Sequence, residues 1–174
     1  LADGDRLQFG DIHLRFLTGP GLRGRYLDLR EQRAERDGLT DLRNATGFLH
    51  ALATAALPCS LILVDVVGLG ALNQKHGDVA ADDVIVGISA VLRGLAAPPR
   101  AVARLDGGRF VLLVLGPQAE AQRVSEQATA AVATTTFATP RGSLRASVRT
   151  ITAEVDPFDR EGSLDRALVA LRGP

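Results

Sequence analysis

Arg104-Leu105-Asp106-Gly107-Gly108-Arg109-Phe110 is set between two apolar runs, residues 101–105 and 110–115, both rich in Val and Leu. Such runs read as strands. Asp-Gly-Gly between them is a tight-turn signal, because Gly adopts the positive φ that short hairpin turns require. The segment predicts a β-hairpin whose tip carries Asp106, Gly107, Gly108 and Arg109.

Outward from the hairpin, helical and extended patterns alternate. Residues 61–66 are a continuous apolar run, as expected of a strand covered on both faces. Residues 80–95 carry Val84, Ile88, Val91 and Leu95 at helical steps. Residues 46–56, 119–133 and 164–171 read as helices. Residues 143–154 read as one strand with Leu144, Ala146 and Val148 on one face. Gly116-Pro117 and Thr139-Pro140-Arg141-Gly142 read as loops. Helices punctuating a mostly antiparallel sheet predict an α+β fold, a two-layer sandwich with its central sheet flanked by helices.

The first part of the chain has a different texture. Residues 7–9 and 12–16 alternate apolar and polar side chains around Gly10-Asp11, like a hairpin. Gly19-Pro20-Gly21 breaks the chain. Residues 22–36 then read as a helix with Leu22, Tyr26, Leu29 and Arg33 at three- and four-residue steps. This narrow stripe suits packing on its own domain or pairing with a second copy as a short coiled coil. Three segments are expected: a β-rich piece over 1–17, a linker helix over 18–36 and the α+β domain over 37–174.

The 174 residues carry 20 basic and 20 acidic side chains and are 46% apolar. Zero formal charge gives no broad pull on nucleic acid or on an anionic membrane. No apolar run approaches the roughly 20 residues of a membrane span. Cys59, the single cysteine, precedes an apolar strand, reads as core packing and predicts a reducing, cytoplasmic home. His13, His50 and His76 lie on separate segments and read as surface or packing residues. A chain that starts at Leu1 and lacks Met predicts a fragment or a processed product.

Residues 104–110 resemble the signature turn of GGDEF domains, the diguanylate cyclases, which write Arg-x-Gly-Gly-Asp/Glu-Glu-Phe there. Arg104 and Phe110 fit, while Gly108 and Arg109 occupy the two acidic positions. Sliding the register by one puts Arg109 and Phe110 there instead, so neither register supplies a carboxylate. The resemblance runs in consistent order and spacing over residues 37–172. Asp37-Gly38-Leu39-Thr40-Asp41-Leu42-Arg43-Asn44 is similar to the family's opening Asp-x-Leu-Thr-Gly-Leu-x-Asn, followed there by Arg and here by Ala45. Leu63-Val64-Asp65 resembles the strand end bearing a metal-binding Asp. Leu72-Asn73, Gly77 and Asp82 fall at the spacing of the family's Ile-Asn-Asp-x-x-Gly-His-x-x-Gly-Asp block. Ala146-Ser147-Val148 and Asp165-Arg166-Ala167-Leu168 resemble its late strand and last helix.

The resemblance implies a nucleotidyl-cyclase-like fold, one GTP per domain and two domains facing each other to make cyclic di-GMP. It also implies two Mg²⁺ or Mn²⁺ ions held by carboxylates, since hard cations take oxygen ligands. Matched position by position, Asp65 is a vestigial metal ligand and Val67 stands where active members often carry another Asp. Gly70 replaces a lysine, Gly108 the acidic metal ligand of the hairpin and Arg109 the catalytic Glu. No metal and no cofactor is expected. Asn73 and Asp82 match residues that hydrogen-bond guanine, whose edge an amide and a carboxylate suit. The nearby family His and Gly have become Asp78 and Ala81. Arg172 replaces a phosphate-contacting lysine, keeping the charge but not the geometry. The inhibitory cyclic di-GMP motif Arg-x-x-Asp is replaced by Ala97-Pro98-Pro99-Arg100, so no such site is expected.

Read as residues alone, each position has a plainer role. Asp65 can cap the turn after its strand, Asn73 can form a turn, and Asp82 can cap a helix starting at Asp83. Arg109 can point to solvent or contact a phosphate. The string Asp3-Gly4-Asp5-Arg6-Leu7-Gln8-Phe9-Gly10 resembles the closing strands of a forkhead-associated (FHA) domain, a family that recognises phosphothreonine peptides. The expected function is that of a catalytically inactive GGDEF-family signalling protein acting through protein partners, with a homodimer through helix 22–36 as one arrangement. A non-catalytic sensor of GTP or cyclic di-GMP is the alternative, and residual cyclase activity the remote one.

Overall fold

A computed structural model describes residues 6–9, 12–15, 34–95, 101–140 and 142–172. Its centre is the apolar strand β3 (Cys59–Val66), buried along its length except at Asp65. It pairs antiparallel with β5 (Arg109–Leu115) on one side and with β8 (Val148–Glu154) on the other. β4 (Ala101–Asp106) pairs with β5, completing an antiparallel sheet of order β4-β5-β3-β8. The hairpin is thus present, its strands one residue longer at the tip than residues 101–105 and 110–115.

The sheet flanked by helices stands as expected, but both faces are covered, giving three layers rather than two. β3 alternates its side chains between opposite faces. Ile62, Val64 and Val66 pack with α3 (Asp78–Leu95) and α4 (Gln118–Thr134). Leu61 and Leu63 pack with Phe48 and Leu52 of α1 (Ala45–Thr54) and with Leu164 and Leu171 of α5 (Arg160–Arg172). Cys59 is fully buried in this second core, and burial pushes its thiol up, against a smaller opposing pull from Arg160.

Two elements carry no strong sequence pattern. α2 (Leu69–His76) buries no residue, so its apolar periodicity is faint. β6 (Phe137–Thr139) is three residues long and pairs with β7 (Gly142–Leu144). The single strand expected over 143–154 is therefore two: β7 joins β6, residues 145–147 leave the ladder, and β8 enters the central sheet. Leu144, Ala146 and Val148 nevertheless meet the same core, as their alternation predicted.

The chain divides into two compact units, Leu1–Ala34 and Glu35–Pro174. In the first, β1 (Arg6–Phe9) and β2 (Ile12–Arg15) pair antiparallel, Phe9 opposite Ile12. Of the helix expected over 22–36, residues 22–33 lie outside the described residues. Ala34 is helical, Glu35 is in a turn and Arg36 bridges to Arg43, so the helix does not reach Arg36. No helix among the described residues is long and apolar enough to cross a membrane.

Candidate functional site

The signature hairpin closes through Gly107-Gly108, and its two glycines are needed for different reasons. Gly107 has φ +39, in the left-handed region that side chains disfavour. Gly108 lies outside that region but has no room. A Cβ there would stand 2.9 Å from Leu69 Cδ2 and 3.0 Å from Val66 Cβ. The Gly108 carbonyl accepts from the Val66 amide at 3.0 Å, holding the tip against the end of β3.

Directly beneath the tip, register aligns four charged residues across all four strands. Asp106 faces Arg109, Arg109 faces Asp65, and Asp65 faces Arg149. Directly paired residues share a sheet face, so the row alternates acid, base, acid, base on one side. A register shift between Arg104 and Asp106 brings Asp106, rather than Leu105, opposite Arg109. Arg109 Nε donates to Asp106 Oδ1 at 2.6 Å, and its Nη2 donates to Oδ2. Arg149 Nη2 donates to Asp65 Oδ2 at 3.2 Å. Arg109 is thus ion-paired, neither loose in solvent nor free for phosphate, and Asp65 holds an arginine rather than capping a turn. Val67, beside the row, is more than half exposed.

On the other side of the tip, a cleft of about 290 Å³ brings Asn73, Asp82 and Gly107 together. Leu69 and Ile85 form apolar wall, and Asp78, Ala81 and Gly70 complete the rim. Asn73 sits inside α2, where its carbonyl accepts from Gly77, and not in a turn. Its Oδ1 is buried without a hydrogen-bond partner. Asp82 lies a full turn inside α3, which starts at Asp78, so it caps nothing.

The opening motif of the domain buttresses the same tip. Asp37 Oδ1 accepts from the Thr40 amide at 2.9 Å and the Thr40 hydroxyl at 2.7 Å. Arg104 Nη1 donates to both Asp37 oxygens, at 3.1 and 3.2 Å, while its Nε donates to the Gly107 carbonyl at 2.9 Å. Burial raises the Asp37 carboxyl, but the Thr40 and Arg104 hydrogen bonds outweigh it and hold the group below its usual range. Asn44 caps α1 by accepting from the Gly47 amide at 3.0 Å. Asp41 occupies the left-handed region, φ 54, where the family pattern has Gly.

Phe110 is fully buried and belongs to the core. Arg172 falls in α5, with its side chain outside the described residues, as are residues 97–100, where the inhibitory motif would fall. His50 Nδ1 meets Glu35 Oε1 at 2.7 Å, and no cluster of metal-ligating side chains occurs among the described residues. Sequence reading missed Arg149, 84 positions from Asp65, because only strand register brings them together. It also missed the Asp37–Arg104 tie, although both ends stand in recognised motifs.

Comparison with known proteins agrees with this architecture. The coiled coil and GGDEF domain of DgcB from Caulobacter crescentus, in complex with c-di-GMP, matches with a TM-score of 0.76 at 24% identity, over 87% of this chain and 85% of that one. The diguanylate cyclase SiaD of Pseudomonas aeruginosa, in complex with its activator SiaC, matches with a TM-score of 0.73 at 23% identity, over 87% of this chain and 61% of that one. These likenesses show the fold. An uncharacterized protein in the hutH 5′ region of Streptomyces griseus is 39% identical over 64 residues, 36% of this chain and 27% of that protein, so the match spans about a quarter of its length. The family model described as "Diguanylate cyclase, GGDEF domain" matches residues 34–159, most of the chain, which therefore belongs to the GGDEF-domain family.

Proposed function

We propose that residues 37–174 form a GGDEF-family signalling domain that does not turn over GTP and acts through contacts with other proteins in a reducing cytoplasm. The observation that carries this reading is the row Asp106–Arg109–Asp65–Arg149. Cyclisation in the family calls for two divalent cations on carboxylates, and the residues present do not fit that pair. Asp65 already accepts from Arg149, and its other strand neighbour is Arg109. Val67 and Gly108 offer no side-chain oxygen. Both carboxylates of the row are already compensated by guanidiniums, so a divalent ion there must displace an ion pair and then face the positive charge it frees. In the same proposal, the β1–β2 hairpin is the end of an FHA-like module that recruits a phosphorylated partner, and residues 22–36 are the pairing element of a homodimer.

Incubating concentrated protein with GTP and Mn²⁺ tests the reading. No cyclic di-GMP is expected, and accumulation of that product overturns it.

A second reading, a nucleotide sensor without turnover, draws on the unpartnered Oδ1 of Asn73 beside Asp82. Calorimetry with GTP and with cyclic di-GMP, with and without Mg²⁺, tests it. Micromolar binding that Asn73→Ala weakens favours the sensor, and silence at high ligand concentration leaves the docking domain.

A further inference from the structure

The segment that joins β7 to β8 reads Arg141-Gly142-Ser143-Leu144-Arg145-Ala146-Ser147-Val148-Arg149, with Arg at every fourth position and Ser midway between. Burial alternates along it without a break from Ser143 to Arg149. Leu144 and Ala146 pack against the core and Val148 is buried, while Ser143, Arg145, Ser147 and Arg149 are all exposed. Alternation of that kind puts Arg145, Ser147 and Arg149 on one outer face, with about 7 Å between successive members. Ser147 belongs to no strand, and its hydroxyl has no hydrogen-bond partner among the described residues. Its carbonyl accepts from the Val67 amide at 2.9 Å, so the β3–β8 register runs on and sets Val67 opposite Ser147. Active members of the family often carry an acid where Val67 stands, and valine leaves no carboxylate facing the hydroxyl. Arg145 has no ion-pair partner among the described residues, and Arg149 gives one hydrogen bond to Asp65. Two guanidiniums with spare donors thus flank a free, exposed hydroxyl.

We infer that Ser147 is a phosphorylation site for an ATP-dependent protein serine kinase that reads arginine, and that Arg145 and Arg149 clamp the phosphate. In the transfer, Ser147 Oγ bonds to the γ-phosphorus of ATP, the bond from that phosphorus to the bridging oxygen of ADP breaks, and the hydroxyl proton passes to the kinase's base. The product carries close to two negative charges and three acceptor oxygens, which suit the donor forks of two arginines. Such a dianion competes with the Asp65 carboxylate for Arg149. Capture of that guanidinium leaves Asp65 with Arg109 as its remaining basic neighbour in the row and turns this end of the sheet acidic. The inference stands apart from the question of GTP turnover.

The test treats the full folded chain with ATP and a purified arginine-directed serine kinase, and maps the product by mass spectrometry. Phosphate is expected on Ser147, with Arg145→Ala slowing its transfer about tenfold, since hydrogen bonds between charged groups are the strong ones. Phosphorus magnetic resonance then follows the phosphoserine, whose second ionisation ordinarily falls at about 6. In the folded chain it should lie about 1 below its value in the urea-unfolded chain, because the fold holds both arginines on its face. Arg145→Ala and Arg149→Ala should each raise it, and Asp65→Asn, which removes the competitor for Arg149, should lower it further. Arg145 and Arg149 are exposed, so thermal melts of their variants should show intact folds. No phosphate on Ser147 of the folded chain, phosphate on Ser143 in its place, equal ionisation in the folded and unfolded chains, or indifference to both arginine substitutions overturns the inference.

Discussion

Arg149 reaches across the β3–β8 pair to Asp65, placing a guanidinium 3.2 Å from the carboxylate that resemblance assigns to metal. The pair is partly exposed, with the Asp65 side chain 30% and Arg149 53% accessible. It is therefore a small contributor to stability. Arg149→Ala is expected to cost about 1 kcal/mol or less in urea denaturation. Mn²⁺ at millimolar concentration should leave the Tm unchanged, because only a ligand that prefers the native state raises it. A rise in Tm that Asp65→Ala abolishes would reveal a cation site.

Restoring the acid of the signature turn should not restore a metal site. Gly108→Asp drives its new Cβ into Val66 and Leu69, and overpacking of that kind costs about 1–3 kcal/mol. Stability by chemical denaturation should fall accordingly, and cyclic di-GMP should remain undetected. Adding Val66→Ala should recover only part of the loss, because alanine keeps the Cβ that stands 3.0 Å from the new one and the lost methyls leave a void.

The Asp37–Arg104 tie is more sheltered, its side chains 21% and 14% accessible. Asp37→Ala leaves a largely buried guanidinium without its anion, and a loss of about 2–3 kcal/mol is expected, in the range of hydrogen bonds to charged groups. Arg104 also steadies the Gly107 carbonyl. Hydrogen exchange of the Val66 amide, which bonds to Gly108, should therefore accelerate in Asp37→Ala and in Arg104→Ala alike.

Acid should act through the same residue. The Asp37 carboxyl is held below its usual range in the folded chain. Its contribution is thus fully present above the unfolded-state value of about 3.9 and is lost as pH falls through the lower folded value. Asp37→Asn should flatten that part of the stability–pH curve, and an unchanged acid limb would contradict the assignment.

Much of the framework was legible from residues. The run 61–66 announced a strand covered on both faces, and Val84 and Ile88 fell into the core where their spacing put them. That run already implied cover on both faces, but no local pattern reports which helices supply it, α1 and α5 on one face and α3 and α4 on the other. The Asp37–Asn44 motif was recognised as a string, but its work became visible only in three dimensions. Asp37 braces the turn, Asn44 caps a helix, and Asp41 takes a backbone conformation that favours Gly. The site was half legible. Asn73 and Asp82 do share a cleft, yet the pairing of Arg109 with Asp106 depends on a one-residue register shift that alternation cannot foresee.

The register row also governs what reaches this end of the sheet from a distance. Two positive and two negative groups in alternation have no monopole, so their far field fades faster than that of a lone carboxylate pair. At physiological ionic strength, where screening acts over about 8 Å, such a surface exerts almost no long-range capture on a passing nucleotide or ion. Whatever binds beside it must arrive by shape and short-range contact.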